Sequence, residues 1–225
     1  ILCDREKEIQ AFVPEEYWSV DAVFEKGRKK FKAELVKYNG KKIRSSSAAQ
    51  TDDIISVLDG GKYTVARVEE KERIKKPMPP FTTSSLQQEA SNKLNYNTKR
   101  TMMIAQQLYE GIDVKGRGTV GLVTYIRTDS VRISDEAKET AKNMIISDYG
   151  DQYLGTNVYA NKKKDVQDAH EAIRPTDISL SPAIIKDSLS RDQFRLYQLI
   201  WKRFTASQMS PAIYETASVK IAAGK

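Results

Sequence analysis

From Tyr17 onward hydrophobic and polar residues alternate, with Trp18, Val20, Ala22 and Phe24 on one side and Ser19, Asp21, Val23 and Glu25 on the other. After Lys26-Gly27-Arg28 a second alternating run sets Phe31, Ala33 and Leu35 against Lys32, Glu34 and Val36. Alternation on both sides of a short glycine-containing turn predicts a β-hairpin. Asn39-Gly40 marks a further tight turn, Ser45-Ser46-Ser47 a surface loop, and Thr51 or Asp52 the cap of a short helix. Residues 63–74 read as another strand, increasingly charged and exposed towards its far end. Residues 1–12 have the look of a helix end closed by Pro14, and residues 214–222 alternate again, returning to the strand-rich part.

Between these runs the pattern changes. Lys76-Pro77-Met78-Pro79-Pro80-Phe81 holds three of the seven prolines and can continue neither strand nor helix, so the domain boundary is placed there. Beyond it the spacing becomes helical. Ser84 with Gln87 is expected to form a capping box ahead of Leu86, Ala90 and Leu94. Thr98 is expected to cap a second helix that turns Met102, Ala105, Leu108 and Tyr109 inward and stops before Gly111. A glycine-punctuated loop, 113–121, leads into a strand around Tyr125. Ser134 with Asp135 and Glu136 opens a helix carrying Ala137, Ala141, Met144 and Ile145, with Gly150 past its end. Ser190 and Gln193 form another capping box, and the stripe of Phe194, Tyr197, Trp201 and Phe204 behind it reads as core, not as a base-stacking platform. The expected fold class is α+β. Residues 1–16 are the tail of a preceding helical domain, 17–76 completed by 211–225 form a strand-rich arch, and 77–210 form a mainly helical, helix-turn-helix or winged-helix-like domain.

Composition changes this picture in a few places. With 225 residues, 40% hydrophobic and 30% charged, the chain has the balance of an ordinary soluble protein of one large or two modest domains. A net charge of +7 favours a polyanionic partner. The single Cys3 excludes an internal disulfide framework and cysteine-based zinc clusters, and the single His170 removes most histidine metal sites. No apolar run approaches the length of a membrane span, and the expected compartment is the cytoplasm. The opening Ile1-Leu2-Cys3-Asp4, with neither initiator methionine nor signal pattern, reads as part of a longer protein.

The candidate chemistry centres on Tyr125-Ile-Arg-Thr-Asp-Ser-Val-Arg132. In a strand, Tyr125 and Arg127 share one face while Leu122 and Ile126 take the other. A free phenol, with a pKa of about 10, is a poor nucleophile at neutral pH unless a cation stabilises the phenolate and the charge developing on a phosphate. Arginine does both and keeps its proton. A second constellation is Ala169-His-Glu-Ala-Ile-Arg-Pro-Thr176, where His170 and Arg174 share a face if the segment is helical up to the proline, and both can donate to a phosphate. The competing reading pairs His170 and Glu171 with local backbone and gives Arg174 a surface salt bridge.

These two segments resemble the active-site segments of the type IA DNA topoisomerases of bacteria. So, in the same order, do Ala11-Phe-Val-Pro-Glu-Glu-Tyr-Trp18, Ser85-Leu-Gln-Gln-Glu-Ala90, Thr101-Met-Met-Ile-Ala-Gln-Gln-Leu-Tyr109 and Leu196-Tyr-Gln-Leu-Ile-Trp201. The resemblance covers nearly the whole chain; within the key segment only Val131 departs, where a polar residue is common. It implies that Tyr125 becomes joined to a DNA 5′ phosphate and leaves a free 3′ hydroxyl. It implies that Arg127 contacts the scissile phosphate, that His170 and Arg174 help hold the strand, and that Thr128, Asp129 and Ser130 belong to the same DNA-binding motif. The implied partners are single-stranded or negatively supercoiled DNA and the toprim and gate domains of the same polypeptide. No nucleotide cofactor is expected, in keeping with the lack of a glycine-rich Lys-Ser/Thr phosphate loop. The family's magnesium is expected on the toprim domain, whose Asp-x-Asp pair does not occur in this sequence, so no metal site is expected in this chain. The strand-rich segments would then form a hinged arch.

A tyrosine recombinase also uses a phosphotyrosine, but there the tyrosine follows the His-x-x-Arg element, whereas Tyr125 precedes His170 and Arg174 stands four residues on. A non-enzymatic alternative is a basic DNA-binding module in which Tyr125 only packs.

Overall fold

The computed structural model describes residues 1–159 and 170–224, which fall into two units, 1–70 with 217–224 and 71–216. The division lies inside a long strand, β5 (Lys62–Lys75), and not at the proline-rich segment 76–81. That strand pairs with the last one, β8 (Ala212–Gly224), which also runs through the division.

The first unit opens on a helix, α1 (Leu2–Gln10), that buries none of its residues. The predicted hairpin follows as β1 (Asp21–Lys26) and β2 (Lys29–Glu34), with Gly27-Arg28 as its two-residue turn. The register puts Phe24 opposite Phe31, their rings stacked at 5.3 Å, and the Tyr63 ring meets Phe24 edge-on at 5.0 Å. Asp21–Lys32 (2.8 Å) and Glu25–Lys30 (3.2 Å) are the charged pairs across the ladder. Exposed pairs of this kind fix register more than they stabilise. Asn39-Gly40 joins β3 (Lys37–Tyr38) to β4 (Lys41–Lys42) with φ of 48° and 77°, as a type I′ turn requires. The helix α2 (Ala48–Leu58) is capped by Ser47, which accepts from the Gln50 N–H, and not by Thr51 or Asp52. Thr51 instead lies in the first turn, buried, and shares a hydrogen bond of 2.8 Å with Ser45.

The second unit is the helical one. Its first helices are α3 (Thr83–Leu94) and α4 (Thr98–Glu110), capped by Thr82 and Asn97 where the sequence predicts Ser84 and Thr98. Thr82 and Ser85 form the capping box of α3, and Asn97 caps α4, because the side chain that reaches the free N–H groups belongs to the last extended residue before the helix. The loop 113–121 is a small hairpin, β6 (Ile112–Val114) against β7 (Gly118–Val120). Helix α5 (Asp135–Asp148) has its predicted Ser134 cap and buries Ala137, Ala141 and Ile145; α6 (Arg191–Ser207) has its predicted Ser190–Gln193 box. Two helices, a hairpin wing and a third helix fit the winged-helix-like expectation.

One core gathers Leu86, Ala90, Ile104, Leu108, Leu196 and Ile200 around Phe81 and Tyr197, and a second joins Ile133, Ala137, Ala141, Ile178 and Phe204. Trp201 packs against both and donates from its indole N–H to the Ile178 carbonyl at 2.9 Å. The polar tips of the buried tyrosines are satisfied, Tyr197 by the Leu180 carbonyl (2.7 Å) and Tyr96 by Asp192 (2.9 Å).

Between α3 and α6, Glu89 receives Lys93 at 2.6 Å and Arg203 at 3.1 Å. The hydrogen bond from Lys93, helped by the Arg203 charge, holds its carboxyl below the usual glutamate range against the opposing effect of burial. A depressed folded-state pKa adds stability above the unfolded value of about 4.3, and that stability is lost as the pH falls through the lower folded value. Acid titration of unfolding, followed by circular dichroism, is therefore expected to show a shallower loss of stability below about pH 4 in Glu89→Gln than in the parent chain.

Candidate active site

The segment carrying Tyr125 is extended, yet it is not the strand the sequence predicts: only an isolated bridge, Val123 to Pro175, forms along it. Its backbone groups are satisfied instead by two threonines. Thr83, the first residue of α3, donates its N–H to the Thr128 carbonyl (2.8 Å) and its hydroxyl to the Ile126 carbonyl (2.7 Å). The same hydroxyl accepts the Thr128 N–H at 2.9 Å. Thr124 does the same towards the second motif: its N–H donates to the Arg174 carbonyl (2.9 Å), its hydroxyl donates to the Ala172 carbonyl (2.7 Å), and that hydroxyl accepts the Arg174 N–H (3.0 Å). Tyr125, Ile126 and Arg127 are thus held between two clamps.

Between those clamps the side chains alternate. Ile126 (1% exposed), Thr128 (6%) and Ser130 (0%) turn inward, while Tyr125 is 45% exposed and Arg127 and Asp129 face outward. Tyr125 and Arg127 therefore share the exposed side, as the sequence predicts, while Val123, two residues before Tyr125, is buried. Among the described residues Arg127 has no ion-pair partner. Thr128 and Ser130 point away from solvent and accept the N–H groups of Ser130 (3.0 Å) and Arg132 (3.1 Å), which locks the alternation. Of the three polar residues in the motif, Asp129 alone is presented outward.

The phenol of Tyr125 sits among aromatic rings. The Tyr109 ring, at the end of α4, lies edge-on to it at 5.6 Å, and the His170 imidazole lies 6.1 Å away on centroids. Tyr109 is 38% exposed and so is a wall of the site, not the inward core residue the helical spacing predicts. Gly121 brings the chain in close: a Cβ there would stand 2.7 Å from the Tyr109 carbonyl oxygen, and the next N–H, of Leu122, donates to the Leu108 carbonyl at 2.7 Å.

The second motif is extended, not helical, since its backbone pairs with neighbours: Ala172 N–H with the Arg132 carbonyl, Ile173 N–H with that of Phe81. His170 and Arg174 consequently do not share a helical face. Ala169, the first residue of the motif, lies outside the described residues. Arg174 is 14% exposed and its guanidinium is committed, with Nε and Nη2 on Glu171 (2.9 and 2.7 Å), Nη1 on the Pro175 carbonyl (2.9 Å) and Nη2 on Ser134 Oγ (3.4 Å). The Glu171–Arg174 pair is the salt bridge of the competing reading, and it stiffens the stretch that follows His170.

The sequence reading passes over Thr83, Thr124, Tyr109 and Gly121 as site residues. Thr83 and Thr124 bond chain 43 to 50 residues distant, and Tyr109 meets Gly121 and Tyr125 from another element, all beyond any local spacing rule. Among the described residues no three His, Cys, Asp or Glu side chains gather as a metal site. No helix among them is long and apolar enough to cross a membrane.

Thr83→Val retains shape but leaves the Thr128 N–H and the Ile126 carbonyl without their partner. Chemical denaturation is expected to show a loss of about 1–3 kcal/mol, against less than about 0.5 kcal/mol for the exposed Asp129→Asn.

Comparison with known proteins then gives this geometry its setting. The DNA topoisomerase family profile matches residues 1–225. The structure of full-length topoisomerase I from Thermotoga maritima, in a monoclinic crystal form, is 40% identical in sequence and superposes with a TM-score of 0.75 over 96% of this chain. The match takes in 33% of that protein, so the chain spans about a third of its length. With an exposed tyrosine and arginine clamped in a winged-helix-like unit, and a match over its whole length, the chain belongs to the type IA DNA topoisomerase family.

Proposed function

We propose that Tyr125 is the nucleophile of a DNA strand-cleavage and rejoining reaction. Its Oη attacks the scissile phosphorus, an O–P bond to the 5′ phosphate forms, and the bond from phosphorus to the 3′ oxygen breaks. The proton lost by the phenol is balanced by one gained at the released 3′ hydroxyl. Because the phosphotyrosyl ester conserves the energy of the phosphodiester, attack by the 3′ hydroxyl reverses the step without a nucleotide cofactor.

The observation that carries this reading is the shared outward face of Tyr125 and Arg127 between two backbone clamps. Arg127, which has no ion pair among the described residues, is placed to stabilise the equatorial phosphate oxygens as charge develops. The His170 ring beside Tyr125 is suited to donate to the same phosphate or to the leaving oxygen. Arg174 acts through the loop that it braces, and Asp129 is the motif's remaining outward polar group.

The substrate of the longer polypeptide is single-stranded or negatively supercoiled DNA, which it relaxes by passing one strand through the break in the other. Magnesium belongs to a toprim domain outside this chain, and without that domain the chain cleaves DNA poorly or not at all. Opening the gate requires the unit bearing Tyr125 to part from that domain, with the strand-rich unit as the hinged arch. The setting is the bacterial cytoplasm, at the nucleoid.

A 3′-labelled single-stranded oligonucleotide, incubated with the chain and denatured, tests the reading. Supplying the toprim domain and magnesium is expected to give a labelled protein band that Tyr125→Phe abolishes. Covalent labelling that survives Tyr125→Phe, or relaxation by a full-length enzyme carrying that change, would overturn it and leave a DNA-binding module.

A further inference from the structure

A second surface of the helical unit shares no residue with the tyrosine site. Between α3 and α6 runs a groove of about 470 Å³ lined by the linker residues Pro77 and Met78 and by the outer faces of both helices. Lys93, Arg195, Lys202 and Arg203 stand around it, against Glu89 as the one acid. Glu89 is already bonded to Lys93 and Arg203, whereas Arg195 and Lys202 form no ion pair among the described residues. Met78, Leu94 and Leu199 line the same groove, and Met78 is 61% exposed.

The helix pattern makes this a built face. Arg195, Gln198, Leu199 and Lys202 follow the three- and four-residue spacing of one stripe, opposite the buried Leu196, Tyr197, Ile200 and Phe204. Arg195 and Lys202 are two turns apart, about 10.5 Å along the axis. Cations at such an interval can meet non-adjacent phosphates of one strand, and the apolar lining suits exposed base faces. A duplex hides those faces; a single strand offers them. Along α3, residue 93 lies about 15 Å from Thr83, the clamp of the Tyr125 segment.

We propose that this groove binds the backbone of single-stranded nucleic acid, as a contact separate from the site of cleavage. The inference goes beyond the nucleophile assignment and does not need Tyr125 to react. It rests on charge complementarity with a phosphodiester chain and on an apolar lining that a simple charged patch lacks.

The test measures fluorescence anisotropy of a labelled single-stranded oligodeoxynucleotide with the 225-residue chain across a salt series. Paired replacement Arg195→Gln with Lys202→Gln is expected to weaken binding on the order of tenfold and to flatten the salt dependence by about 0.7 in log–log slope for each cation removed. Gln198→Glu, nearly isosteric and helix-compatible, is expected to weaken binding with no change in circular dichroism. Tyr125→Phe is expected to leave the slope unaltered, so loss of covalent capture and loss of groove binding are separate results. An unchanged slope in the paired variant would overturn the proposal. So would equal sensitivity with duplex of the same length, or displacement by polyglutamate at lower charge concentration than by the unlabelled oligonucleotide.

Discussion

A segment that presents Tyr125 and Arg127 to solvent must be extended enough to turn alternate side chains outward, and its remaining backbone groups must still be bonded where they are buried. A sheet would meet both demands but would spread the constraint along a ladder. Here two threonine hydroxyls meet them, each donating to a carbonyl and accepting an N–H. Valine at either position would fill the same volume and supply neither bond. The arrangement of Tyr125, Arg127 and His170 follows from these two points of attachment, because Thr83 belongs to the start of α3 and Thr124 to the pairing with residues 172–174.

Exposure then sorts the motif chemically. Tyr125 and Arg127 lie outward because Ile126 is in the core, and Thr128 and Ser130 are polar residues whose hydroxyls serve the chain instead of a ligand. The walls of the site come from farther off, with Tyr109 from the end of α4 and His170 from the second motif. Close approach at Gly121 lets the Tyr109 wall and the Tyr125 segment meet. Burial of Arg174 against Glu171 makes that arginine a brace for the loop, whereas Arg127 is presented to solvent.

Much of this was legible in the chain. The hairpin around Gly27, the Asn39-Gly40 turn, the Ser134 cap and the Ser190–Gln193 box follow from local rules, and each forms as read. The caps of α2, α3 and α4 were displaced because several Ser, Thr, Asp and Asn residues compete within one turn, and tertiary packing chooses among them. The strand expected at Tyr125, and the helix on which a shared face of His170 and Arg174 was conditional, are absent for one reason. Period-two and helical spacing describe which side chains are buried, not which backbone partner is present, and here the partners are each other and the Phe81–Thr83 stretch. The shared face of Tyr125 and Arg127 survived because alternation needs only an extended backbone; Thr83 and Tyr109 escaped notice because their value depends on contacts remote in sequence.

Peptide mapping shows whether the phosphorus becomes bonded to the Tyr125 oxygen. The covalent complex, formed by a full-length enzyme carrying this chain, is trimmed with nuclease, digested with trypsin and analysed by tandem mass spectrometry. Tryptic peptide 118–127 has Tyr125 as its one tyrosine, while Tyr109 falls in peptide 101–115. A 5′-nucleotide adduct is expected on peptide 118–127, fragmenting at Tyr125. An adduct on peptide 101–115, or on any other residue with peptide 118–127 unmodified, would contradict it.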